Sequence, residues 1–339
     1  MGQGLAVSIR DVAQLAGVSV GTVSNAINRP DEVSAETLAR VRGAIDKLRY
    51  VPNRSARTLR GGIGSSVGFV VNDGQNPFFA DIVRGAEDEA MQHGIVVLLG
   101  NTDEDPEREK QYLDLFEAQQ VLGLLLTPSS GISPPLRQLA SRGIRSVLID
   151  AYSRDAGFSS SSLDNIAACR EAVEHLVAQG RRKIAVVGPH ATPQVAERLA
   201  GAKLAAASLD LPVEIREIPT PGMSVADGVV SGNTLLAKNR SAWPDAIFAT
   251  NDLIALGILQ ALVTDGRVRV PDEIAIMGFD DIAFAGAAAV PLSSMRQPGR
   301  AMGRTAMRVL LEETRDRDIV PRQTVFQAEL VVRASTAAR

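Results

Sequence analysis

Apolar positions recur at helical spacing through the first fifty residues and in short continuous runs after that. The first pattern predicts three short helices. One starts behind Ser8, with Asp11 three positions on, and carries Val12, Ala13 and Ala16 along one side before Gly17 breaks it. A second follows Ser19 from Val20 to about Asn28, with Val23, Ala26 and Ile27 facing inward, and Pro30 closes it. A third follows Ser34 and carries Leu38, Val41, Ile45 and Leu48 at three- and four-residue steps. Gly17-Val18-Ser19 is a tight turn between the first two, so the order is that of a helix-turn-helix unit with a supporting helix.

From Gly64 the period changes. Val67–Val71, Ile95–Leu99, Leu122–Leu126, Ser146–Ile149, Lys183–Val187, Val213–Glu217, Ala246–Ala249 and Ile274–Met277 read as strands. Amphipathic helices fall between them, among them Phe79–His93, Glu107–Gln119, Asn165–Gln179, Ala196–Ser208, Val225–Ala237 and Asp252–Thr264. Continuous strands alternating with helices mean an α/β body of parallel sheets with helices on both faces. The pattern restarts near Asn165, after the polar run Ser159–Ser162, so two similar lobes with a cleft between them are expected.

Composition narrows the class. At 339 residues and 45% hydrophobic, the chain is too long for one typical domain. No apolar run approaches the roughly 18 residues that cross a bilayer, and Met1–Arg10 lacks the layout of a signal peptide. A soluble cytoplasmic protein with no membrane partner is expected. The single Cys169 excludes an internal disulfide and a cysteine metal cluster, and His93, His175 and His190 have no ligand spacing, so no metal or cofactor is expected. Neither a Gly-x-Gly-x-x-Gly loop nor a phosphate-cradling Gly-Lys-Ser/Thr occurs, and the acidic run Asp103–Asp105 suits a helix start, so no enzyme is expected.

The net charge of −3 conceals an asymmetry: residues 1–62 carry nine basic and five acidic side chains, a net +4, on a body of net −7. A basic head suits a polyanion. On the second helix, Ser19, Val20, Gly21, Thr22, Ser24, Asn25 and Asn28 are the DNA-binding candidates. Val20 can touch a thymine methyl, Gly21 allows close approach, and Asn25 can pair with the edge of adenine in the major groove. Thr22, Ser24 and Asn28 can hold phosphates. An ordinary small helical bundle fits the same spacing. Residues 51–62 then read as a hinge, with Pro52 stopping the third helix, Asn53 able to cap another short one, and Gly61-Gly62 ending it. Four arginines and no acid lie between Arg49 and Arg60. Asn53, Arg54 and Arg57 on the polar side, with Ala56 and Leu59 as an apolar wedge, suit an element that kinks a minor groove.

The stretch Ser8 to Gly61, with Asp11-Val12-Ala13, Ala16-Gly17-Val18-Ser19, Thr22-Val23-Ser24, Val33-Ser34, Tyr50, Pro52-Asn53 and Ala56–Leu59, resembles the head and hinge of the LacI/GalR family of transcription regulators. The resemblance implies that paired hinge helices meet over the operator centre and that Leu59 intercalates there. Asn25 stands where the family often has a basic residue.

In the body, residues just beyond the strand ends are the ligand candidates, because open parallel sheets bind ligands there. Asn76, Phe78 and Phe79 follow the first strand, Asp150 the fourth, and His190 with Arg198 the next; Asn251, Asp280 and Gln297 come later. Aromatic rings beside fork-shaped polar groups suit a neutral polyol. Asn72-Asp73 and Asn251-Asp252 equally fit turn or cap residues, His190 and Arg198 equally fit the surface, and Asp281 fits a structural turn better. Asn76-Pro77-Phe78-Phe79, Asn101-Thr102-Asp103, Asp150, Arg198-Leu199-Ala200-Gly201, Asn251–Gly257, Gly278-Phe279-Asp280-Asp281 and Gln297 resemble the effector domain of the same family and its periplasmic sugar-binding relatives. The resemblance implies that Asn76, Phe79, Asp150, Arg198, Asn251, Asp280 and Gln297 hold a sugar. Ala151 replaces an arginine common in those relatives.

The expected protein is therefore a repressor binding double-stranded, pseudo-palindromic operator DNA as a homodimer, under control of a small-molecule effector, a sugar or sugar derivative. Its domains are expected at 1–50 (head), 51–62 (hinge) and 63–339 (effector binding and dimerisation). In the last, an N-lobe of 63–162 plus 292–321 and a C-lobe of 163–291 plus 322–339 would be joined by crossings near 163, 291 and 322. A transport or chemosensory binding protein is the competing class, which the basic head disfavours.

Overall fold

The computed structural model describes residues 7–50, 66–128, 131–152, 157–190 and 192–337. Two compact units, residues 1–63 and 64–339, divide the chain. The expected hinge helix, with Asn53, Arg54, Ala56, Arg57 and Leu59, lies outside the described residues.

The head holds α1 (Ile9–Ala16), α2 (Val20–Asn28) and α3 (Ala35–Leu48). The Asp11 carboxylate accepts from the Ser8 amide at 2.7 Å and from its hydroxyl at 2.8 Å, which fixes where α1 begins. Gly17 ends it with φ 64, a left-handed turn that glycine adopts without strain. Ser19 then accepts from the Thr22 amide at 3.0 Å and starts α2. Val12, Ala16, Val23, Ala26, Val41 and Ala44 form the centre of the core, and Val18, Ile27, Leu38 and Ile45 close it. A core this small is marginal by size alone, so each cap matters.

Among the described residues the body has two six-stranded sheets. The first runs β11 (Gln323–Phe326), β5 (Ser159–Leu163), β4 (Ser146–Ile149), β3 (Leu124–Leu126), β1 (Ser66–Val71), β2 (Val96–Asn101), all parallel. The second runs β12 (Glu329–Val331), β10 (Ser293–Arg296), β9 (Ala275–Asp280), β8 (Ala246–Ala249), β6 (Lys183–Gly188), β7 (Glu214–Pro219), with β12 alone antiparallel. Helices α4 (Pro77–Gln92), α5 (Pro106–Ala118), α6 (Pro134–Ser141) and α11 (Gly299–Arg315) accompany the first sheet. Helices α7 (Asn165–Ala178), α8 (Pro193–Ser208), α9 (Val225–Leu236) and α10 (Asp252–Asp265) accompany the second. Apolar clusters fill both faces of each sheet, as strands buried on both sides require.

The polar run Ser159–Ser162 was not among the expected strands. It is most of β5, and all five residues of that strand are buried. The serines make this possible by finding partners: Ser159 Oγ donates to Glu313, Ser160 Oγ to Gln323, and Ser161 Oγ to the Met302 carbonyl at 3.1 Å. Two of the crossings differ from expectation. β10 pairs with β9 and β11 pairs with β5, so the chain changes sheets between Arg296 and Gly299 and again between Phe326 and Glu329, rather than near 291 and 322. The first change of sheet follows Leu163, between β5 and the helix at Asn165–Ala178. On its return to the first lobe the chain forms α11, which packs so closely on α4 that a Cβ on Gly85 or Gly303 would lie 2.0 or 1.9 Å from a backbone carbonyl oxygen.

Candidate DNA-reading helix and ligand cleft

On α2 the burial pattern separates two faces. Val23 and Ala26 are buried, while Ser19, Val20, Gly21 and Asn25 are exposed on the opposite side. Val20, 40% exposed, has no apolar burial to justify its presence in the head's core. Thr22 and Ser24 are half-buried, and Thr22 Oγ1 pairs with Ser19 Oγ at 2.9 Å. Asn28 is exposed, but its amide donates to the Ser24 carbonyl at 2.8 Å, so the group expected to hold a phosphate is turned onto its own helix. Gly17-Val18-Ser19-Val20-Gly21 also spells the Gly-x-Ser-x-Gly of a nucleophile elbow. That device needs a strand before the serine; here a helix precedes it and Ser19 serves as a cap.

The cleft lies at the carboxyl ends of the strands of both sheets. Asn76, Phe78, Phe79, Asp150, Arg198, Asn251, Asp280 and Gln297 all line it, eight of the nine ligand candidates. Asn76 caps α4 by accepting from the Phe78 amide at 3.0 Å, and its Nδ2 donates across the cleft to Asp280 Oδ2 at 3.0 Å. Gln297 Nε2 donates to the other Asp280 oxygen at 2.7 Å. Phe78 and Phe79 stand with ring centroids 5.3 Å apart; both are largely buried and belong to the core as well as the cleft wall. Arg198 is buried: Nε donates to Asn165 at 2.9 Å, Nη1 to the Thr250 carbonyl, and the guanidinium lies 3.7 Å from the Phe279 ring centroid. Asn251 caps α10 through the Ile254 amide at 2.9 Å and donates to the Met223 carbonyl at 3.0 Å.

His190 is the exception. It is not among the cleft-lining residues, and its Nδ1 lies 3.6 Å from Glu217, which also pairs with Lys203 at 2.6 Å. Position after a strand end placed it near the cleft in sequence, but its side chain turns toward the β7 edge. Asp281 is structural, as its turn position suggests: Arg296 and Arg333 hold its two oxygens at 2.8 and 2.6 Å. Asp252 accepts from Ser294 Oγ at 2.7 Å and the Ile282 amide at 2.8 Å, and burial first, then Asp280, raise its carboxyl well above the ordinary range.

Asn72 and Asp73, weighed in the sequence as turn or cap residues, also line the cleft, and Glu104, Thr192, Gln194 and Met223 were missed there. Gln194 was findable. Thr192 before Pro193 is a helix start, and α8 does begin at Pro193, three residues before the expected Ala196. That puts Gln194 in the first turn, where Nε2 donates to the Asp150 carbonyl at 2.5 Å. Burial pushes the Asp150 carboxyl up to about 7; Arg198 opposes this, and Asp280 and Glu197 add to it. Burial also raises Asp280, against the pull of Arg198, Asn76 and Gln297. The space left at the centre is about 30 Å³, room for a water or two rather than a metabolite.

A helix-turn-helix head on a two-lobed body with a polar cleft is the plan of a DNA-binding transcription regulator. Residues 8–53 match the profile of bacterial regulatory proteins, lacI family, and residues 173–336 that of a periplasmic binding protein-like domain. The transcriptional repressor PurR of Photobacterium profundum is 31% identical over 331 residues, 97% of this chain and 98% of its own. The lac repressor dimer bound to operator and an anti-inducer superposes with a TM-score of 0.84 at 28% identity, covering 98% of this chain and all of that one. The regulator CelR in complex with cellobiose superposes at 0.70, with 31% identity, 97% of this chain and 99% of that one. The chain belongs to the LacI family of transcription regulators.

Proposed function

We propose that this chain represses transcription by binding a pseudo-palindromic operator as a homodimer, and that a sugar or sugar derivative in the cleft controls the binding. Within the operator half-site, Val20, Gly21 and Asn25 read bases and Ser19, Thr22 and Ser24 meet the backbone, with Asn28 joining them if its amide releases Ser24. The hinge residues Asn53, Arg54, Ala56, Arg57 and Leu59 supply the minor-groove contact. Its place of work is where the chromosome lies, in the cytoplasm, and it performs no catalysis.

The observation that carries the control is the hydrogen bond from Asn76 to Asp280. It ties the lobes together at the point where Phe79, Arg198 and Asn251 also converge. A ligand hydroxyl entering there competes for the same carboxylate, so occupancy and lobe closure are one equilibrium. CelR, which superposes on this chain and is in complex with cellobiose, supports a saccharide as the ligand. For dimerisation, the support is the apolar exposure around the edge strand β2, where Val96 is 50% and Leu99 55% exposed.

The test is thermodynamic reciprocity. A duplex selected by the purified chain is titrated with and without each sugar that raises its melting temperature. Operator affinity changes by the same factor by which operator changes sugar affinity. A sugar that binds tightly and leaves operator affinity unchanged refutes the control.

A further inference from the structure

Acids outnumber bases along the cleft. Asp73, Glu104, Asp150 and Asp280 line it, and among the described lining residues Arg198 is the one basic side chain. Arg198 is already engaged by the Thr250 carbonyl, Asn165 and the face of Phe279. Asp280 receives neutral amide donors from Asn76 and Gln297. Asp150 is different: it is 7% exposed, and its Oδ1 has no hydrogen-bond partner among the described residues.

A side cavity of about 90 Å³ shares Asp150 and Gln194 with the cleft and is bordered by Tyr152, Ser162 and Glu197. Ser162, 4% exposed, likewise has an unpartnered Oγ. Tyr152 is 55% exposed, and Ala151 beside it brings no charge. The junction of the two cavities thus offers a buried, unserved carboxylate, a second carboxylate and an accessible aromatic face.

A neutral polyol supplies hydroxyl donors to such a place but adds nothing to the partial countercharge that Arg198 gives Asp150, and a buried charge that is incompletely paired is costly. A protonated nitrogen supplies donors and countercharge together, and an aromatic face adds to its attraction. We propose that the ligand of this cleft is a hydroxylated amine, an amino sugar or amino polyol, whose protonated nitrogen is received by Asp150 where the cleft meets the side cavity. The proposal rests on the reading of the cleft as the effector site. It also carries a pH signature. Burial holds the Asp150 carboxyl up at about 7, with Asp280 and Glu197 pushing the same way and Arg198 against. A cationic ligand selects the ionised form, so its binding releases protons below neutrality and strengthens as pH rises to neutrality, weakening again where the amine loses its own proton.

The experiment is calorimetry and thermal shift on the full chain with matched sets: glucosamine, galactosamine, mannosamine and 1-amino-1-deoxysorbitol, each against its neutral parent, with the N-acetyl hexosamines as sets in which the nitrogen stays but an acetyl group replaces its charge. At least one amine is expected to bind about ten-fold or more tightly than its parent and N-acetyl form, the worth of one charge-assisted contact. D150N is expected to abolish that preference and the proton release together. Y152A, at an exposed position that does not threaten folding, is expected to weaken the amine and not the parent. Neutral parents binding as well as amines, or an amine preference that survives D150N in a variant that still melts cooperatively, overturns the proposal and leaves the effector site standing. Binding by no member of either set overturns both.

Discussion

The amide of Asn76, which caps α4 in the first lobe, donates at 3.0 Å to the carboxylate of Asp280, the last residue of β9 in the second. One side chain thus starts a helix and bridges the lobes. The two roles separate by substitution. Asn76→Ser keeps a capping oxygen and loses the bridge; Asn76→Ala loses both. Losing the cap costs about 1 kcal/mol, and losing one donor to a buried carboxylate costs about 1–3 kcal/mol. Calorimetric melting should rank wild type above Asn76→Ser above Asn76→Ala. Small-angle scattering should show both variants more open than the wild type.

Asp150 makes stability depend on pH in an unusual direction. Its folded carboxyl titrates near 7, above the unfolded value of 3.8, so between those values the folded chain holds the extra proton. Stability from this group is full below about pH 4 and is lost as pH rises to 7. Asp150→Asn removes that loss. The variant should melt higher than the wild type at pH 8, by something on the order of 1–4 kcal/mol, and little differently at pH 4. A residual slope should persist, because burial raises Asp252 and Asp280 in the same sense. Thermal melts across that range check it.

Asn25 is exposed on the face of α2 opposite Val23 and Ala26. Asn25→Ala should leave the head folded and reduce discrimination between a selected duplex and its single-base variants by about 1–3 kcal/mol at one position per half-site. Fluorescence anisotropy with a small panel of variants measures this. Equal loss on every duplex would mean a phosphate contact instead.

Leu59→Ala tests the hinge. Specific affinity should fall several-fold, while the melting temperature of the body and its ligand affinity stay as they were. Unchanged operator affinity would remove the wedge from the account.

Much of this was legible in advance because the apolar period carried it. The head's three helices and their serine caps follow from Val12–Ala16, Val23–Ile27 and Leu38–Leu48. The cleft candidates followed from strand ends, a rule that depends on topology alone. What was hidden depended on partners distant in sequence. Ser159–Ser162 carries no apolar run to mark a strand, and only Glu313, Gln323 and Met302 make its burial possible. The short strands β11 and β12 have no strong alternation, and only pairing with β5 and β10 decides which lobe each joins. His190 does not line the cleft because a position after a strand end fixes the backbone and not the rotamer; its Nδ1 lies 3.6 Å from Glu217 instead.

The most direct test of the account is a selection from random duplexes by the purified chain at moderate salt, followed by the affinity of the recovered site against a scrambled copy. The account predicts a two-fold-symmetric sequence bound at least about a thousand-fold tighter than the scramble. Recovery of no preferred sequence, or equal affinity for both duplexes, would contradict it.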